Sequence, residues 1–143
     1  MVTMPLWLSP NIVLSQSDHR LLSVLALAGV GHTAEIADDL LHELDRASVV
    51  ADGALPGDIV RMGSLVRYRT GRDERSVTLV YPAEADIASA RVSVLTPVGT
   101  ALIGLRAGQS ITFRTRDGRP QTLTVLNVVP PGDDDDDEGP RAA

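Results

Sequence analysis

The hydrophobic periodicity of this chain changes once, near Asp58, and that change limits the folds open to it. Before it the apolar residues recur at helical spacing; after it they alternate with polar ones. Ser15-Gln-Ser-Asp18 is a helix N-cap signal, and His19 to Ala28 then places Leu21, Leu22, Leu25 and Ala28 on one helical face. Gly29-Val-Gly31 breaks that helix. Thr33 caps a second, Ala34 to about Ala47, in which Ile36, Leu40 and Leu44 fall at i, i+4 and i+8 with Ala37, Leu41 and Ala47 beside them. Glu35, Asp38, Asp39, Glu43 and Asp45 point to water. Two amphipathic helices joined by a short loop imply an antiparallel hairpin, only about 20 Å long at the helical rise per residue.

Beyond Asp58 the pattern is that of strands. In Leu65–Thr70, Val66 and Tyr68 point one way, Arg67 and Arg69 the other. Thr70-Gly-Arg-Asp-Glu-Arg75 reads as a hairpin turn, with Val77, Leu79 and Tyr81 as the inward face of the returning strand. Pro82–Ser89 is a polar loop, and Val92 and Val94 are another inward pair. Thr96 caps a short helix with Pro97 at its first position, and Gly104 ends it. Ile111 and Phe113 lead a further strand, Asp117-Gly118 makes a tight turn, and Leu123 to Val129 closes the sheet. About five strands and one helix make this part an α+β domain. The expected organisation is a loose or edge-strand lead-in (1–14), a short helical hairpin (15–50), a β-rich domain (51–130) and an acidic tail (131–143).

Charge and composition exclude several functions. Asp133 to Glu138 supply six acids and Arg141 one base, so the tail holds −5 of the net charge of −6 and the remainder only −1. Every basic residue is arginine, and tight nonspecific nucleic-acid binding is not expected of so neutral a body. The tail reads as disordered and self-repelling. Aromatics are 3% of the chain, too few for an aromatic-lined pocket or a base-stacking surface. With no cysteine, thiolate chemistry and disulfides are excluded, which fits the cytoplasm. Met4–Leu8 is apolar but lacks the charged start of a signal peptide, and no run approaches a membrane span.

Chemical motifs are few. Gly29-Val-Gly-His-Thr-Ala34 satisfies a dinucleotide-binding spacing, with Asp52 as the ribose-binding acid. It needs a strand at Leu21–Leu27, where a capped helix is expected, so it reads as a turn between helices. His42-Glu43 begins like a zinc-protease motif, but Arg46 stands where the second histidine belongs. His19, His32 and His42 lack ligand spacing, and Glu35, Asp38 and Asp39 read as a solvated helix face. No catalytic residue, metal site or cofactor is expected. Arg61, Arg67, Arg69, Arg72 and Arg75 are the one basic concentration, a patch suited to an acidic protein surface or a phosphate backbone.

Thr78-Leu-Val-Tyr-Pro82 and Val92-Ser-Val-Leu-Thr-Pro-Val-Gly-Thr-Ala-Leu-Ile-Gly104 resemble the C-terminal domain of the bacterial Gre transcript-cleavage factors. Together with Leu41–Ala47 and Val60–Arg69, the resemblance to the Rnk-type regulators of nucleoside diphosphate kinase covers about residues 11–130. Gly63 stands where that pattern usually has Asn. The resemblance implies a helical hairpin before an FKBP-like domain. It also implies docking on the β′ rim helices of RNA polymerase, near the secondary channel. Gre factors carry acids at the hairpin tip that hold a catalytic Mg²⁺. Here the tip, Ala28-Gly-Val-Gly-His-Thr33, has none, and the hairpin is about half as long, so docking without cleavage stimulation is implied. The residues matching the Gre docking segment are Leu95, Thr96, Pro97 and Val98, with Ser93 and Arg91 beside them. The family name implies a second partner, nucleoside diphosphate kinase, reached directly or through its expression. Prolyl isomerase activity, the second class that an FKBP-like fold raises, lacks its aromatic pocket.

Overall fold

The computed structural model describes residues 8–28 and 34–131. In chain order these form β1 (Val13–Ser15), α1 (Gln16–Ala28), α2 (Ala34–Arg46), β2 (Ser48–Val50), β3 (Leu65–Thr70) and β4 (Asp73–Val80). Then come β5 (Arg91–Ser93), α3 (Pro97–Leu102), β6 (Ser110–Arg114) and β7 (Pro120–Val129). Short β1 and β2 pair in parallel. The remaining strands make one curled sheet in the order β5-β4-β3-β7-β6, with β4–β5 parallel and the other pairs antiparallel. The chain is thus mixed helix and strand, the α+β class expected. The expected acid-free tip, apart from Ala28, and the acidic tail, apart from Pro131, lie outside the described residues.

One aliphatic core runs through both parts. Leu22 of α1 and Leu40 and Leu44 of α2 join Val66 and Tyr68 of β3, Leu79 of β4 and Leu123 and Val125 of β7 in it. The described part of the lead-in, residues 8–14, follows the edge-strand alternative and not the loose one, since it runs into β1. Ile12 and Leu14 are fully buried, Val13 N–H donates to the Gly104 carbonyl at 3.1 Å, and Ser48 N–H donates to the Ile12 carbonyl at 2.9 Å. Leu8 N–H donates to Thr112 Oγ1 of β6 at 3.0 Å, a contact spanning 104 residues, which no local pattern signals.

The helical faces differ from expectation in α1 and, in α2, at Glu43, whose side chain is only 13% exposed instead of pointing to water. In α2 the buried residues are Ala37, Leu40 and Leu44, all within the expected stripe. In α1 they are Asp18, Leu22 and Ala26, while Leu21 is exposed and Leu25 only partly covered. Ser15 caps α1, its Oγ accepting from Asp18 N–H at 3.2 Å. Asp52, the acid of the dinucleotide reading, instead holds the same turn by accepting from Ser17 N–H at 3.0 Å and from the Ser17 hydroxyl.

The β3–β4 turn is tighter than expected. Thr70 pairs with Asp73 across Gly71-Arg72, so Glu74 and Arg75 belong to β4. Gly63 adopts φ of +90°, in the left-handed region that glycine enters freely and asparagine more readily than most residues.

Candidate functional site

The β5–α3 junction is built by a compact set of hydrogen bonds. Thr96 has extended backbone angles, and its Oγ1 accepts from Gly99 N–H at 3.0 Å, the N-cap expected from sequence. The same hydroxyl donates to the Ser93 carbonyl at 2.8 Å. Ser93 Oγ accepts from Leu95 N–H at 3.0 Å, and Thr100 Oγ1 donates to the Val94 carbonyl at 2.7 Å. Gly99 lies so close to β5 that a Cβ placed there would sit 2.1 Å from the Ser93 carbonyl oxygen. The helix start is therefore pressed onto the strand end and can shift little. Pro97 adds a fixed φ at the first helical position.

Of the six residues expected to dock a partner, Ser93 and Leu95 are buried. Ser93 acts on the backbone of its own loop. Thr96, Pro97 and Val98 are partly exposed, and Arg91 is exposed. The surface that the junction offers is thus Pro97 and Val98, shaped from beneath by Ser93, Thr96 and Gly99. Gly99 was missed by sequence reasoning, because its close approach to β5 is a tertiary fact.

Next to this junction a shallow groove separates α2 from the β6–β7 turn. Glu35, Asp38 and Asp39 line one wall, Arg114 and Arg116 the other, with Leu95 and Pro97 at the base. Burial, and the charges of Glu35, Asp38 and Glu43, push the Asp39 carboxyl above the usual aspartate value. Among the described residues no three acidic, histidine or cysteine side chains converge to hold a metal ion. Glu43 Oε1 accepts from Arg46 Nε and Nη2 at 3.0 and 2.7 Å, so the residue in the second-histidine position ties down the zincin-like glutamate. Leu21–Leu27 is helical, which removes the strand the dinucleotide reading needs; the Gly29–Thr33 loop itself lies outside the described residues.

The arginine patch does not hold together as one surface. Arg67 and Arg69 stand opposite Ser76 and Glu74, so these four share the outer face of the sheet. Arg75 stands opposite Tyr68 and so lies toward the other face. Arg67 Nη2 pairs with Glu74 Oε1 at 2.5 Å. The two-residue turn sets this parity; the longer turn expected from sequence hid it.

A buried polar cluster joins α1 to the sheet domain. Asp18 Oδ2 accepts from Met62 N–H at 3.2 Å. Desolvation raises the Asp18 carboxyl above its usual value, against the Met62 hydrogen bond and the attraction of Arg61. The Tyr81 hydroxyl is buried without a hydrogen-bond partner among the described residues, as is Arg61 Nε. Burial first, then the charges of Asp18 and Glu84, push the Tyr81 phenol up to about 12. Sequence reasoning did not find this cluster, because Asp18 looked like a cap residue.

Comparison with known proteins fits this architecture. Residues 55–130 match the family described as transcription elongation factor GreA/GreB, C-terminal. The chain belongs to the GreA/GreB family. Among its relatives, the Escherichia coli (strain K12) protein named "Regulator of nucleoside diphosphate kinase" is 37% identical over 121 residues, covering 83% of this chain and 89% of that protein. Transcription elongation factor GreA of Chloroflexus aurantiacus is 37% identical over 92 residues, 63% of this chain, but this chain spans only 58% of that relative. The solved structure of the prokaryotic transcription elongation factor GreA/GreB from Nitrosomonas europaea superimposes with a TM-score of 0.65 at 34% identity. It covers 85% of this chain and 99% of that one. Among the described residues no helix is long and apolar enough to cross a membrane.

Proposed function

We propose that this protein is a non-enzymatic regulator that binds RNA polymerase near its secondary channel through the β5–α3 junction and does not stimulate transcript cleavage. The observation that carries the reading is the rigid presentation of Pro97 and Val98. Thr96 caps the helix beneath them and Gly99 is wedged against Ser93. A surface held in one conformation loses little entropy on binding. The relatives named as GreA elongation factors supply the partner class. We take α1 and α2 as an antiparallel hairpin in front of an FKBP-like domain. In support, His19 Nε2, near the start of α1, lies 3.0 Å from the Leu44 carbonyl near the end of α2. Each helix has 13 residues, about 20 Å at the helical rise. So short a hairpin, with no acid in residues 28–33, brings no carboxylate to a second catalytic metal.

The test is a competition. Backtracked RNA polymerase complexes are incubated with GreA and increasing amounts of this protein, and RNA cleavage is scored. Cleavage is expected to fall, with Pro97→Ala or Thr96→Asp relieving the inhibition. Stimulation of cleavage by this protein alone, or no effect at high excess, overturns the proposal. The name of the 37%-identical relative favours a second reading, control of nucleoside diphosphate kinase level or activity outside the polymerase. Unchanged kinase activity and nucleoside triphosphate pools in a deletion strain would remove it.

A further inference from the structure

The pairing register gathers a surface that is not evident along the chain. Among the described residues beyond Asp58, the large apolar side chains left exposed are Leu65, Ile87 and Val129, at 45%, 93% and 42%. Two of them stand in one row on the outer face of the sheet: Val129, Leu65, Thr78, Arg91, across β7, β3, β4 and β5. An isolated bridge from Arg91 to Asp86 lengthens that row by one position, and Ile87 follows at its end. Cross-strand partners project to the same side, so Leu65 and Val129 share a face with Arg91, and with Arg67 and Arg69 further along β3. Single exposed apolar side chains are ordinary, but three in line beside three arginines form a patch.

Ile87 is presented on a fixed backbone. Asp86 and Arg91 exchange two N–H to carbonyl hydrogen bonds, each 2.9 Å, which close the loop between them. The Asp86 carboxylate accepts from Ala88 N–H at 3.1 Å and from the Ser89 hydroxyl at 3.0 Å. Ala90, with φ of +56°, donates its N–H to the Ile87 carbonyl at 3.0 Å. A nearly bare isoleucine on so closed a loop loses little chain entropy when a partner covers it. The charges point the same way. Glu74 is paired with Arg67, and Asp86 is engaged by its own loop. Arg69 and Arg91 form no ion pair with any described residue, so they are left to meet acids from outside. A phosphate backbone suits the face less well. The face carries the carboxylates of Glu74 and Asp86, and Tyr68, between Arg67 and Arg69, is buried on the other side, so no ring there can stack on a base.

We infer that this row docks an amphipathic helix of a protein partner, with the helix's apolar stripe laid along Val129, Leu65 and Ile87 and carboxylates on its flank meeting Arg91 and Arg69. From Val129 to Asp86 the row crosses four strand spacings, about 19 Å. A helix of about thirteen residues has that length, and its turns, about 5.4 Å apart, come to lie over successive strands about 4.8 Å apart. Apolar side chains with arginine among them are the make-up of a protein interface. On the inner face of the sheet, Ala101 and Leu102 of α3 join Val66 and Leu79 in the core. The outer surface is therefore separate from Pro97 and Val98, and the inference does not rest on the polymerase reading.

The probe is a phage-displayed library of random peptides of about sixteen residues, a little over four helical turns, selected on the whole chain. Recovered peptides are expected to repeat apolar residues at i, i+3 or i+4 and i+7 with Asp or Glu beside them. As synthetic peptides they should shift the amide signals of residues 65, 69, 78, 87, 91 and 129. Ile87→Ser, at a side chain too exposed to carry the fold, should weaken their binding about tenfold. Arg69→Ser with Arg91→Ser should weaken it and remove most of its salt dependence. Peptides that lack acids, that map to α1 or to Pro97 and Val98, or that bind the Ile87→Ser protein unchanged overturn the inference, as does a selection that yields none. A short single-stranded oligonucleotide that shifts the same signals where peptides do not would give the face to nucleic acid. A dimer dissolved by Ile87→Ser would give it to a second copy. Either result equally overturns the inference.

Discussion

α1 and α2 are each 13 residues long and stand next to each other in the chain, yet only α2 buries the face its composition advertises. In α2 the polar and apolar residues segregate cleanly around the axis, and Ala37, Leu40 and Leu44 go inward. In α1 apolar residues occur nearly all round. Leu21, Val24 and Leu27 remain 53%, 63% and 73% exposed, while Asp18 is buried. The difference teaches that a helix with an ambiguous pattern is oriented by its fixed attachments. α1 is held at its first turn by Ser15, Asp52 and the Asp18–Met62 hydrogen bond, and those place Leu22 and Ala26 in the core.

The largest test of that contrast is truncation of the core residue that each helix contributes. Leu40→Ala and Leu22→Ala each remove a side chain with no exposed surface. Both should lower unfolding free energy by about 2–5 kcal/mol in urea titrations. If Leu22→Ala costs less than about 1 kcal/mol while Leu40→Ala costs the full amount, α1 is not docked as described. Next is Ser15→Ala, which removes the hydroxyl that caps α1 and should cost about 1 kcal/mol. A loss near zero would show that Asp52 alone is enough to hold the first turn.

Asp18 gives a test with a sign. Its native carboxyl is raised, chiefly by burial, above the ordinary value of 3.8. The folded state therefore binds the proton more tightly than the unfolded state. The stability this proton contributes is present at low pH. It is lost as pH rises from the ordinary aspartate range through the raised native value. Asp18→Asn keeps an oxygen to accept from Met62 N–H and carries no charge to desolvate. It should flatten stability across that window and at neutral pH add about 1 kcal/mol or less. A variant clearly less stable than the parent at neutral pH would mean that the attraction of Arg61 outweighs desolvation.

What could be read in advance follows the range of the interactions. The strands β3, β6 and β7, the Thr96 cap and Pro97 all rest on residues within a few positions of one another, and each was legible. The burial of Ile12 and Leu14 was not, because their partners, Gly104 and the β2 backbone, lie far along the chain. The site divides in the same way. Thr96 and Pro97 announced themselves, whereas Gly99 against Ser93 required the fold. The grouping of Arg67 with Arg75 failed on parity, since a two-residue turn places Arg75 opposite Tyr68. Arg91 joins Arg67 and Arg69 only through the parallel β4–β5 register, which no local turn dictates.

The smallest expected effect is the most discriminating for α1. Leu27→Ser alters a side chain that is 73% exposed, so little apolar area returns to water and stability should change by no more than about 0.5 kcal/mol. On composition alone Leu27 and Leu22 are interchangeable, and a composition-driven account assigns both a core cost. The attachment-driven account assigns the cost to Leu22 only. Running the two substitutions side by side in one denaturation series therefore separates the accounts without reference to the absolute stability of the protein. A matched loss of several kcal/mol at both positions would mean that α1 turns a wider face to the sheet. Buried Asp18 would then need another explanation.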